Sequence, residues 1–202
     1  INMAELKNAY YTSREHHREQ PQITIDLWQK HKNQVTQLPL KLQFYWQLYT
    51  TKAYVIEKQL TAAAFELNQL IKIPMHKTAQ ELAILANLSG ILLSRTSQHA
   101  LASDAYKCAL KQDLTRPLLR AGYLNNLALA HDRAGYGEIA VGYYHQAIKL
   151  ATDHNNPSRV ARYTSNLGFT LLLNHQADKA VRYLRRAIFL KQQYDNDISK
   201  VR

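Results

Sequence analysis

The residue types able to do chemistry are scattered through this sequence rather than gathered. It holds nine His and one Cys among 202 residues. Two His placements invite a site, the pair His16-His17 and the dipeptide His131-Asp132. Neighbouring residues on a helix point about 100° apart, so neither pair converges on one ion or one proton. No Cys or carboxylate completes a ligand set around His16-His17, and the neighbour of His131 points elsewhere. A phosphate-cradling Gly-rich loop, a GxSxG elbow and an HExxH helix are all missing. No catalytic residue, metal or cofactor is therefore expected, and the chain does not read as an enzyme. Cys108, beside Ala109, reads as a buried, inert thiol in a reducing compartment. What remains is polar and recurrent. Asn87, Asn126 and Asn166 each stand directly before a Leu, and Lys179, Arg182, Arg185 and Arg186 cluster at helical spacing.

The elements that carry these residues are helical. Few Gly and Pro, with abundant Ala, Leu and Gln, favour helix throughout. The clearest stretch is Tyr123 to Asn156. Its first half places Leu124, Leu127, Ala128 and His131 at helical spacing and breaks at Gly135-Tyr136-Gly137. Its second half places Ala140, Tyr144, Ala147 and Ile148 in the same way. Small residues at 128, 140 and 147 let two helices approach, and Tyr144 fills the space between them. The arrangement recurs. Leu167, Gly168 and Leu171 precede Ala180, Leu184, Ala187 and Ile188; Leu88 and Leu93 precede Ala102, Tyr106 and Ala109, with a turn one residue longer. Earlier, Leu48, Thr51 and Tyr54 precede Ala63, Leu67, Leu70 and Ile71.

Four such units at a period of 38 to 40 residues resemble tetratricopeptide (TPR) repeats, in a longer form than the usual 34. The longer form is similar to the repeats of kinesin light chain, of cell-polarity adaptors and of bacterial peptide-pheromone receptors. The resemblance implies an all-α fold, a right-handed superhelix of TPR-like helical hairpins (an α-solenoid). Residues 1–37 read as an N-terminal helical pair, a cap or degenerate repeat, with helices from Met3 to Arg18 and from about Ile23 to Val35. Residues 38–194 hold the four repeats, and 195–202 start a further helix after a cap at Asp195-Asn196-Asp197. Caps are expected at Thr78 with Glu81, at Thr115 and at Ser158. Phe189 and Leu190 would then need cover from a further segment or a second subunit, so a fragment of a longer array or a dimer is expected.

In such arrays the first helices line a concave groove. The three Asn residues then share one register, and an Asn amide offers the donor and acceptor that a peptide backbone needs. Helix interiors do not favour Asn, so the row needs a reason. Two compatible reasons stand open: contact with a peptide backbone, and a ladder of hydrogen bonds between neighbouring helices. Arg133 lies seven residues beyond Asn126, two turns along the same face, and resemblance adds Lys52, Asn125 and Arg162 to the wall, with Tyr49 and Phe169 as apolar contacts. Lys and Arg there can clamp a carboxylate.

The formal charge is +11, and it leans toward the C-terminal half: fifteen Lys and Arg against eight acids in residues 102–202, eleven against seven before. A solvated exterior explains this, as does an acidic partner. No helix-turn-helix segment is present, so direct nucleic-acid binding is not expected from this segment. No 18-residue apolar run or signal segment is seen, which predicts a cytoplasmic chain with no membrane partner. The resemblance implies a peptide- and protein-binding module: the regulatory ligand-binding domain of a peptide-responsive, quorum-sensing-type transcriptional regulator of the Rap, Rgg and PlcR kind. Its partner would be a short peptide or an extended segment of a partner protein, and the domain would form a homodimer through the C-terminal repeats. The alternatives are a constitutive protein-protein scaffold and a nucleic-acid-associated protein using the basic half.

Overall fold

The computed structural model describes residues 2–201, and side chains as far as Asp195. Among the described residues it contains ten α-helices and no strand. They are α1 Met3–His16, α2 Pro21–His31, α3 Leu40–Ile56, α4 Leu60–Lys72, α5 Ala79–Arg95, α6 His99–Gln112, α7 Pro117–Arg133, α8 Gly137–Asp153, α9 Pro157–Leu173 and α10 Ala177–Val201, with a 3-10 turn at Val35–Gln37. Pro21, Pro117 and Pro157 each open a helix, where the missing N–H is not needed. The expected break at Asp195-Asn196-Asp197 is replaced by continuous helix. Asp and Asn lower helix propensity by only about 0.7 kcal/mol each, and no Gly or Pro enforces a stop.

Residues 1–78 and 79–202 form two compact units. In the first, α1, α2 and α3 enclose Leu6, Tyr10, Trp28, Val35, Leu38 and Trp46. Trp28 and Trp46 meet edge to face at 6.0 Å. Glu66 of α4, only 7% exposed, ties this core to its own hairpin. Its carboxylate accepts from Trp28 Nε1 at 2.9 Å and from Gln47 Nε2 at 2.8 Å.

The second unit shows what makes a repeat here. In the hairpins α5–α6, α7–α8 and α9–α10 a three-residue turn has its middle residue in the left-handed region: Ser97, Gly135 and His175. The next N–H donates five residues back, from Gln98 to Leu93, Tyr136 to His131 and Gln176 to Leu171, at 2.8–2.9 Å. This is the Schellman closure of a helix end. The α3–α4 turn in the first unit is built in the same way, with Lys58 in the left-handed region and Gln59 donating to Tyr54.

These turns set the register and correct the sequence alignment. The α5–α6 turn is not one residue longer, so Gly90 rather than Leu88 or Ser89 is the counterpart of Ala128 and Gly168. The large residue opposite decides it. A Cβ on Gly90 would lie 2.5 Å from the Tyr106 ring, and one on Gly168 would lie 2.7 Å from Leu184. Ala128 shares one core cluster with Tyr144. Asn87 therefore corresponds to Asn125, and Asn126 to Asn166.

Two caps also differ from expectation. Asp113, fully buried, accepts from the Thr115 and Arg116 amides at 3.3 and 3.2 Å, so Asp113 rather than Thr115 holds the start of α7. Thr115 Oγ1 instead accepts from Gln80. Asn156, not Ser158, caps α9 through the Arg159 amide at 3.1 Å, because Pro157 takes the first helical position. Cys108 is exposed rather than buried. Its neighbour Ala109 lies in the seam, and a step of 100° turns the thiol outward.

Candidate functional site

Within the second unit, α7 packs on α6 and α9 on α8. This places α5, α7 and α9 side by side, and their Asn residues meet. Asn166 donates to Asn125 Oδ1 at 2.8 Å, Asn125 to Asn126 Oδ1 at 3.3 Å, and Asn126 to Asn87 Oδ1 at 3.0 Å. The two bonds between helices are equivalent, each running from the later position of one repeat to the earlier position of the repeat before. Of the two readings of the Asn row, the ladder between helices is the one these hydrogen bonds show. Asn125, 6% exposed, lies at its centre. Each amide retains a second N–H or a second lone pair, and the ladder ends at the Asn166 carbonyl.

Arg133 makes a second link across the same face, donating from Nη1 to Ser94 Oγ at 3.2 Å. Arg133 and Arg95 also lie in the electrostatic field of Tyr106, whose phenol is raised well above its ordinary value, chiefly by burial. His131 is structural in its contacts. It stacks on Tyr143 at 5.5 Å and meets Ser103 Oγ at 3.2 Å, and burial lowers its pKa. Among the described residues no group of three or more His, Cys, Asp or Glu could hold a metal ion. No described helix is long and apolar enough to cross a membrane.

The open part of this face lies between α9 and α10. The Asn156 cap and Pro157 start α9 so that Val160, Tyr163, Thr164, Leu167 and Leu171 face inward. Its other side presents Arg162, Ser165, Asn166 and Phe169 to a groove of about 570 Å³. The α10 wall supplies Leu184, Ala187, Ile188, Lys191, Tyr194 and Asp195. Phe169 is 56% and Ile188 59% exposed. Arg162 leans on the Tyr163 ring, 5.1 Å from its centroid, and donates to its hydroxyl at 3.3 Å.

Of the residues singled out from sequence, the groove thus gathers Arg162, Asn166 and Phe169. Asn87, Asn125, Asn126 and Arg133 join helices beside one another. Tyr49 and Lys52 belong to α3 in the first unit. Tyr49 is half-buried against Tyr10, Tyr45 and His17, and Lys52 acts on the His17 charge. Sequence reading missed the α10 wall, Ile188 and Lys191 above all. The signal was present in Leu184, Ile188 and Lys191 at helical spacing, but that spacing also fits a covered seam. Of the two residues expected to need cover, Phe189 is exposed and Leu190 packs against the cluster of Ala151, Val160 and Tyr163. In the basic cluster of α10, Lys179, Arg182 and Arg186 line a separate hollow of about 370 Å³ with Tyr183.

No protein-family model and no curated protein matches the sequence. Solved structures do. The chain is similar to a Rap protein complexed with competence and sporulation factor (TM-score 0.83, 16% identity, 98% of this chain and 56% of that one). It is similar to Bacillus thuringiensis PlcR in complex with the peptide PapR7 and DNA (0.76, 15%, 98% and 74%). It is also similar to the TPR-like repeats of a Podosopora anserina putative kinesin light chain (0.68, 15%, 94% and 96%). At these identities the likeness shows the fold, an all-α array of TPR-like helical hairpins.

Proposed function

We propose that this chain is a peptide- and protein-binding TPR module, and that it serves as the ligand-binding part of a cytoplasmic, homodimeric, peptide-responsive transcriptional regulator of the quorum-sensing type. The observation that carries the reading is the α9–α10 groove, whose apolar wall leaves Phe169 and Ile188 more than half exposed beside the end of the Asn ladder. Concave, mainly apolar sites with a few fixed polar groups are the usual form of a ligand pocket. The Asn166 carbonyl and Ser165 hydroxyl can meet a main-chain N–H, while Arg162 and Lys191 attract a carboxylate. Two of the structures that share the fold, the Rap protein and PlcR, were solved with a bound factor or peptide. Because each repeat touches only its neighbours, an occupant at α9 and α10 biases the packing of α7 and α5 through the ladder.

The test is native mass spectrometry of the protein purified gently from its own host. The expected species is a dimer with an added mass of peptide size, and that mass is lost in a Phe169→Ala/Ile188→Ala variant of unchanged helicity. A bare wild-type protein, or a peptide equally retained by the variant, overturns the groove as the peptide site.

A further inference from the structure

The α9–α10 groove has a filled counterpart within the same unit. Forty residues back, α7 and α8 stand in place of α9 and α10, and the corresponding seat is occupied by α9 itself. There Ala121, Ala147 and Ala151 are fully buried in one cluster with Val160 and Tyr163 of α9. Asn125 receives the Asn166 amide, and Arg159 donates to the Leu118 carbonyl. One repeat on, Ala161 and Ala187 keep the small floor, but Ile188 is exposed where its counterpart Ile148 is half-buried. The groove is therefore a helix seat: a floor of small residues between two packed helices, bounded by ridges, into which a third helix fits.

The differences between the two seats say which helix. Arg162 replaces Gly122, Lys191 replaces Ala151, and Phe169 replaces Leu129. In the filled seat a Cβ on Gly122 would meet Arg159 Nη1 at 3.4 Å. Whatever takes the place of Arg159 in the open seat thus faces the Arg162 side chain. Asp195 also lines the groove, in place of Asn155, so the seat gains a net single positive charge, and the Arg162 guanidinium repels an Arg at that position and favours a carboxylate. Phe169 keeps the rim apolar and stands exposed where Leu129 is half-buried.

We infer that the groove binds an acidic amphipathic α-helix of a partner protein, laid across α9 and α10 as α9 lies across α7 and α8. A carboxylate in the first turn of that helix sits by Arg162 and Lys191, and its apolar residues at i, i+3/i+4 and i+7 cover Ile188 and Phe169. This rests on the binding role proposed for the groove and changes the form of the ligand from extended to helical.

The probe is a fluorescein-labelled synthetic peptide of the α9 sequence, residues 157–173, carrying Arg159→Glu. Its fluorescence polarisation is read against the full chain. We expect it to bind about tenfold tighter than the unchanged α9 peptide at low salt, the scale of one close charge pair. Arg162→Glu in the protein should reverse that order, and Lys191→Glu gives the same readout should the first variant fail to fold. A second substitution in the probe, Ser165→Pro, breaks its helix on the side facing away from the seat and should abolish binding. Equal binding of the Pro-containing probe overturns the inference and leaves the peptide-binding reading standing. An order of affinities indifferent to both charge reversals shows that the groove is not the seat of the helix and overturns the inference. No binding by either peptide overturns the helical ligand alone, the groove then being judged by the retained-peptide experiment. A dimer that the probe dissociates shows that a second copy fills the seat, and overturns the partner-protein helix.

Discussion

The Asn ladder predicts a measurable coupling between residues 41 positions apart. Asn125→Ala removes two hydrogen bonds, the 2.8 Å bond from Asn166 and the 3.3 Å bond to Asn126. At about 1 kcal/mol net for each bond, less about 0.6 kcal/mol returned by the better helix propensity of Ala, the cost is about 1.4 kcal/mol. Asn166→Ala removes only the shared bond and costs about 0.4 kcal/mol on the same scale. The double variant loses that shared bond once, so it costs about 0.8 kcal/mol rather than the sum of the two. The difference is a coupling of about 1 kcal/mol, readable in a double-mutant cycle by urea unfolding followed with far-UV circular dichroism. Asn126 and Asn87 share a bond of 3.0 Å and should show the same coupling. Asn166 and Asn87 share none and serve as the additive control. If Asn125 and Asn166 are additive within about 0.3 kcal/mol, the ladder does not join the helices, and the Asn amides are left to water or to a ligand.

Two further outcomes follow from the packing. Gly90→Ala gains up to about 1 kcal/mol of helix propensity but sets a methyl against the buried Tyr106 ring, an overpacking of about 1–3 kcal/mol; the melting temperature should fall, and a rise would refute the close approach. His17 and His31 have pKa values lowered from 6.5, first by burial, so below pH 6.5 the unfolded chain takes up more protons than the folded one. Their contribution is fully present above pH 6.5 and is lost as pH falls from there toward the lowered folded values. Melting temperatures measured across this window should drop, and a His17→Gln/His31→Gln variant should drop less; a curve that holds level in the parent protein would sink the argument.

Much of the fold is legible in the residue order alone. Small residues facing Tyr106, Tyr144 and Leu184 at a period near 39 specify helical hairpins, because spacing along one helix is a local property of sequence. Prolines at 21, 117 and 157 mark helix starts for the same reason. The expected caps went wrong where a choice among adjacent polar residues depends on their contacts: Asp113 is set by burial and Asn156 by the proline that follows it. The α5 alignment slipped because Leu88 mimics the patterned Leu, whereas the close approach of Tyr106 to Gly90 decides the register.

The candidate site divides along the same line. Asn166 stood out from its register, and Arg162 and Phe169 from the resemblance to TPR arrays. That Asn166 reaches Asn125 rather than Asn126 depends on how α9 settles on α7 and α8, which only packing decides. Ile188 and Lys191 read as ordinary helix residues until α10 is seen to leave them facing open space. Whether an apolar face is covered depends on the next helix in three dimensions, and no periodicity within a single helix records that neighbour. Sequence alone determined the hairpins and the residues each presents; tertiary structure decided which faces meet and, among the described residues, which one stays exposed.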